Sequence, residues 1–163
     1  MNNMRNTTNN PRQIAKGPRI GSKLRLVTLA EQVSILLLTL LWFLPVEKIH
    51  GEWYTMLGEA KLDAKLGDPD AGVLMATVWF CVILCVGPII WTLLKKKWAA
   101  LVGVIHSALA ALLCIFIRSS IVDNGNEMSF WFKLMPWMAV IVLVLAVARF
   151  VLTRNKKAAA VRQ

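Results

Sequence analysis

Cysteine and histidine are scarce in this 163-residue chain, and their positions exclude several classes of protein. The three cysteines, Cys81, Cys85 and Cys114, all lie inside long apolar runs. The loops therefore lack the cysteine pairs that a disulfide framework or a quinone-linked disulfide generator needs. Of the two histidines, only His106 lies in an apolar run, because His50 lies in a loop. A bis-histidine haem site is thereby excluded.

Recognisable arrangements of catalytic side chains are also missing. Ser107 and Ser119 have no base with an orienting partner at a spacing that would activate a hydroxyl. Asp123 is the only aspartate in its loop, and no helix offers a second near it, whereas a membrane aspartyl peptidase requires two facing carboxylates. We therefore expect a protein that is not an enzyme and that holds neither a cofactor nor a metal ion.

Apolar residues are abundant instead. They make up 57% of the chain, and the mean hydropathy is +0.58, which is typical of a multi-pass membrane protein. A helix of about 20 apolar residues crosses the hydrocarbon core. The sequence predicts an all-α integral membrane bundle whose transmembrane domain, residues 25–153, contains four helices at about 25–45, 71–94, 98–118 and 130–152.

The positive charges lie at the ends of the apolar runs and predict the topology. Lys95, Lys96 and Lys97 form a turn between Trp91 and Trp98, and short cytoplasmic loops are enriched in Lys and Arg. Residues 1–24, a predicted disordered tail, and residues 154–163 are basic, whereas the loop 46–70 is net acidic. We predict cytoplasmic termini in a cell membrane of the bacterial type. The +10 net charge then reflects topology, so we expect the lipid bilayer as partner and no nucleic acid.

The external loop carries a helical pattern. Trp53, Met56, Ala60 and Ala64 recur at helical spacing, and Gly67 follows as a stop signal. We predict a short amphipathic helix at about 52–66 that either lies on the outer membrane surface or caps the bundle.

Three polar residues form a candidate intramembrane site. Glu31 lies roughly 8 Å inside the first predicted helix, and Arg149 lies at a similar depth in the fourth. Either these two form an ion pair that locks the helices, or Glu31 snorkels to the surface, or Glu31 serves a proton- or cation-coupled site. His106 is predicted at the depth of Cys85, so a Cys/His metal site is a further alternative.

Small residues also predict where helices pack and bend. Gly103, Ser107 and Ala111 are spaced four residues apart and predict a helix-packing face. Gly87 and Pro88 interrupt the second apolar run, where Pro removes a backbone hydrogen bond, so we expect a kink.

The segment Leu29-Ala30-Glu31-Gln32-Val33 resembles the first helix of the small multidrug resistance transporters. In that family a lone membrane glutamate binds drug or protons, so the resemblance implies the same role for Glu31. The resemblance covers five residues. The long loop at 46–70 and the strong charge bias depart from the family's pattern.

Two classes of function follow. The first is a membrane interaction protein of the accessory, assembly or immunity type, whose partner is another membrane protein or a second copy. Immunity proteins against pore-forming bacteriocins share this architecture of a few helices with cytoplasmic ends. The alternative is a small oligomeric transporter or channel that uses Glu31.

Overall fold

The protein, described by a computed structural model over residues 19–49, 51–94, 96–123 and 127–161, is mostly helical. Residues 1–18 of the predicted tail, His50, Lys95, residues 124–126 and the last two residues lie outside this part. Within it, the elements in chain order are α1 (Arg19–Leu41), β1 (Glu47–Ile49), β2 (Glu52–Tyr54), α2 (Met56–Leu66), α3 (Ala71–Val86), α4 (Pro88–Leu93), α5 (Lys97–Asp123), β3 (Glu127–Met128) and α6 (Phe130–Val161).

Four helical segments are long and apolar enough to cross a membrane: Gly21–Leu41, Ala71–Leu93, Trp98–Ser120 and Phe130–Lys156. They confirm the predicted number of apolar helices. Large apolar side chains also cover the outside of these segments, for example Leu40, Phe80, Ile83, Leu112 and Val144. A helix that is apolar on both its inner and outer faces is typical of a bundle that is solvated by lipid.

Three helices extend beyond their predicted ends. α1 begins at Arg19 and not at residue 25, so part of the predicted disordered tail is helical. α5 continues to Asp123 and not to 118, and α6 continues to Val161 and not to 152. The predicted ends followed the edges of the apolar runs. Backbone hydrogen bonding does not stop at those edges, and Lys, Arg and Ala favour helix in water as well.

The second crossing is interrupted at Gly87, where α3 ends and α4 begins. Pro88 has no N–H group, so the carbonyl of Leu84 loses its usual helical donor four residues on. The interruption lies where the Gly-Pro pair predicted a kink.

A small sheet joins the two loops at one end of the bundle, with strand order β2-β1-β3. β1 pairs antiparallel with β2, with Glu47 opposite Tyr54, and with β3, with Glu47 opposite Met128. The all-α prediction missed these strands because two or three residues are too few to show alternation, and because β3 pairs with a strand about half of the chain away. We call this end the strand end and the opposite one the lysine-turn end.

The loop helix α2 begins at Met56 rather than at residue 52, because residues 52–54 form β2. The Thr55 Oγ1 accepts a hydrogen bond from the N–H of Gly58 and caps the first turn. Gly67 ends the helix in the left-handed conformation, with φ of 82°. α2 packs against α3 at the strand end.

The core lies between α1, α3, α5 and α6, where α1 and α5 each pack against α6 on one side and α3 on the other. Its largest fully buried side chains include Ile35, Leu38, Trp42, Phe132 and Met135. Ser129 caps α6, since its Oγ accepts from the N–H of Phe132, and its hydroxyl also donates to the Pro45 carbonyl. The start of α6 is thereby held against the end of α1.

Candidate functional site

A buried ion pair joins α1 to α6 near the lysine-turn end. The Arg149 Nε donates to the Glu31 Oε2 at 2.6 Å, and its Nη2 donates to Oε1 at 3.2 Å. Glu31 is 0% exposed and Arg149 is 5% exposed. A guanidinium and a carboxylate paired through two hydrogen bonds are the arrangement that best offsets the cost of burying two charges.

Arg149 also bonds to the end of α4. Its Nη1 donates to the Trp91 carbonyl at 3.2 Å. Trp91 lies in the last turn of α4, where carbonyls lack the donors that a continuing helix supplies. The guanidinium therefore neutralises the charge of the Glu31 carboxylate and also supplies a donor to a carbonyl at the end of α4.

Gly103 on α5 creates the space that Arg149 occupies. A Cβ built on Gly103 would lie 2.5 Å from Arg149 Nη2 and 3.3 Å from the Trp91 Cβ. Any larger side chain would displace the guanidinium. Gly103, the first residue of the predicted packing face, thus leaves room for the Arg149 side chain as well as for the close approach of α4.

His106 extends the network on the other side of Trp91. The Trp91 Nε1 donates to His106 Nδ1 at 2.9 Å, so Nδ1 is an acceptor. The proton then resides on Nε2, which lies 3.0 Å from the Leu84 carbonyl and donates to it. This is the carbonyl that Pro88 leaves without a helical donor. A Cβ on Gly87 would lie 2.5 Å from His106 Cε1, so Gly87 provides room for the ring.

A second contact links α1 to α4. The Gln32 Nε2 donates to Thr92 Oγ1 at 2.9 Å, and the Thr92 hydroxyl donates to the Ile89 carbonyl at 2.7 Å. The network therefore ties the lysine-turn halves of α1, α4, α5 and α6 together.

The cysteines do not join this network. The Cys85 Sγ lies 3.9 Å from the Cys114 Sγ and accepts the Trp42 indole N–H at 3.2 Å. His106 instead uses both ring nitrogens to bond Trp91 and Leu84, so neither nitrogen is open to a metal ion shared with Cys85. In the described ranges, no group of three or more His, Cys, Asp or Glu side chains is placed to hold a metal ion.

The other two residues of the predicted packing face are buried. Ala111 lies in the core, and Ser107 is 1% exposed. The Ser107 hydroxyl has no hydrogen-bond partner among the described residues. Its role is therefore that of a small side chain in a tightly packed interior.

The sequence did not reveal that Trp91 links Arg149 to His106, or that Gly87 makes room for the His106 ring. The sequence predicts Trp91 as an interfacial indole beside the lysine turn, and the structure adds that its carbonyl accepts from the buried Arg149 and its indole N–H donates to the half-buried His106. One signal was available: Pro88 frees the carbonyl of Leu84, and such a carbonyl inside a membrane needs a donor.

The polar side chains of the network are bonded to one another and to the backbone. Both oxygens of Glu31 and both nitrogens of His106 are engaged within the protein. The arrangement stabilises a fixed packing of helices. The chain matches no protein-family model, no curated protein and no solved structure.

Proposed function

We propose that this chain is a non-enzymatic membrane protein that works by binding a different membrane protein, as an accessory, assembly or immunity-type subunit. The Glu31–Arg149 pair carries the proposal. Glu31 is the carboxylate on which a transport role would depend, and it is fully buried with both oxygens bonded to Arg149. Using it as a carrier site would require breaking the pair inside a membrane, where an unpaired charge is costly.

Charge supports the orientation that we propose. The lysine-turn end carries basic side chains on α1, the turn and α6, among them Lys23, Arg25, Lys96, Arg154 and Lys156. The strand end carries the acidic loop. This bias supports the orientation that we propose, with the lysine-turn end in the cytoplasm and the strand end outside, in a cell membrane of the bacterial type.

The strand end offers the surface that we propose binds the partner. Trp53, Phe130 and Trp131 are 47%, 65% and 47% exposed there. They line a cavity of about 440 Å³ together with Glu127 and Met128. Aromatic residues are enriched at protein–protein contacts. Trp53 lies on β2 and the other two lie in the first turn of α6, directly after β3, which belongs to the same sheet.

A pull-down of the tagged full chain in mild detergent, with mass spectrometry and measurement of the complex mass, tests the proposal. We expect a second membrane protein in stoichiometric amount. The W53A/W131A variant should lose it. The W137A variant should keep it, because Trp137 is 66% exposed on α6 yet does not line this cavity.

A preparation that contains only copies of this chain would contradict the proposal. Proton- or cation-linked flux in liposomes would then decide for the transporter alternative, provided that the E31Q variant folds and abolishes the flux.

A further inference from the structure

A groove of about 810 Å³ opens at the lysine-turn end. One wall is a single face of α1, formed by Gly21, Arg25, Thr28 and Gln32 at helical spacing. This face extends roughly 16 Å along the helix. Lys156, near the end of α6, closes the groove from the other side. The volume falls within the range of about 300–1,000 Å³ that is usual for small-molecule sites.

The groove is cationic. Arg25 and Lys156 come from different helices, both are exposed, and none of the described residues that line the groove is acidic. Glu31 lies one residue from Gln32 but is directed into the bundle and paired with Arg149. Two like charges that line one groove repel each other unless an anion lies between them.

The groove is also amphipathic along its length. Leu24 and Leu29 flank the polar face of α1, and Leu29 is 60% exposed. The cation-bearing rim lies near the start of the first crossing, and the inner part lies within it. A Cβ built on Gly21 meets no atom within 4 Å, so the rim is open. An occupant that matches both features has an anionic head and an apolar chain.

We propose that this groove binds the head of an anionic phospholipid, with the phosphate between Arg25 and Lys156 and the first part of an acyl chain along Leu24 and Leu29. The leucines distinguish this ligand from free phosphate, which gains nothing from an apolar wall. Basic pockets between membrane helices recognise anionic lipid heads in this way. The inference requires only that the four apolar helices cross a bilayer, and it does not depend on the proposed partner.

The test measures retained lipid and thermal stability for the full chain, purified in mild detergent after incubation with phosphatidylglycerol, phosphatidylcholine or inorganic phosphate. Native mass spectrometry counts the bound lipid. We expect wild type to retain phosphatidylglycerol over phosphatidylcholine and to be stabilised by it, with no effect of inorganic phosphate. R25Q/K156Q should bind phosphatidylglycerol about 25-fold more weakly, at roughly fivefold for each basic residue.

Two control variants separate a specific site from net charge and from misfolding. K61Q/K65Q removes two exposed lysines from α2 at the strand end and should bind as wild type does. R25K/K156R keeps both charges and should keep the preference for phosphatidylglycerol. Equal retention of both lipids by wild type would overturn the proposal. So would equal weakening in K61Q/K65Q, or the same stabilisation by inorganic phosphate.

Discussion

The guanidinium of Arg149 fills the space that a side chain on Gly103 would need at the interface of α5 and α6, since a Cβ on Gly103 would lie 2.5 Å from Arg149 Nη2. The ion pair of Arg149 with Glu31 therefore depends on the absence of a side chain on a third helix. A glycine therefore permits this charged network because it has no side chain, and not because it contributes a polar group to the network.

G103A should destabilise the protein by about 1–3 kcal/mol, the usual cost of overpacking a core. The added methyl group must displace either the guanidinium or the Trp91 side chain. Unfolding by SDS titration from a mild-detergent micelle measures the change. G72A is the matched control, because Gly72 lies in α3 with no atom within 4 Å of an added Cβ. It should be neutral or slightly stabilising, and an equal loss in both variants would contradict the account.

E31Q should destabilise the bundle by about 3–5 kcal/mol, because Arg149 then stays buried without a counter-charge. The E31Q/R149Q double variant should be more stable than E31Q alone, since it removes the uncompensated charge. The same SDS titration gives the four free energies of a double-mutant cycle. Additive losses would show that the pair contributes no coupling.

G87A should be destabilising in the wild-type background and much less so in H106A. In wild type the new Cβ meets His106 Cε1 at 2.5 Å, and truncation of the ring removes that contact. H106A alone should also be destabilising, because it leaves the Leu84 carbonyl and the Trp91 N–H without their partner. If G87A lowers the free energy of unfolding equally in both backgrounds, the role of Gly87 is not to make room for the His106 ring.

S107A should leave stability unchanged or raise it slightly. The hydroxyl is buried without a hydrogen-bond partner among the described residues, so its loss removes a desolvated polar group. S107V should be destabilising, because the interior there is tightly packed. A marked loss in S107A would show that the hydroxyl does have a partner.

Stability should fall between pH 4.5 and pH 8 because of Glu59. Burial, the hydrogen bond with Glu47 and the nearby Asp63 raise the pKa of Glu59 from 4.5 to about 8. The folded protein therefore holds a proton in this range that the unfolded chain releases. The stabilisation is complete below pH 4.5 and is lost as the pH rises through 8. Thermal unfolding of wild type and E59Q across pH 5–9 measures it, and E59Q should show a flatter profile.

The parts of the fold that rest on local pattern were predictable. Apolar runs indicated the four long apolar helical segments. Gly67 indicated where α2 ends, and the Gly87–Pro88 pair indicated where the second of these segments is interrupted. Equal depth along antiparallel helices also sufficed to suggest that Glu31 and Arg149 meet, since depth follows from counting residues at a fixed rise.

The contacts that depend on helix rotation were not predictable. Whether His106 faces Cys85 or Trp91 is decided by rotation of α5 about its axis, which the packing of several helices sets jointly. The pairing of β1 with β3 joins two loops that are far apart in sequence, and strands of two or three residues carry no periodic signal. The contacts of Trp91 with Arg149 and His106 were not predictable, because an indole beside a lysine turn is already explained by the membrane interface.

The pairing of Glu31 with Arg149 across 118 residues constrains how the chain is made. α1 enters the bilayer early in synthesis, whereas its counter-charge arrives on the last helix. The sheet is also completed late in synthesis, because β3 directly precedes α6. Until α6 is synthesised, Glu31 lacks Arg149 as its partner, so the helix packing that this ion pair stabilises must wait for the last helix.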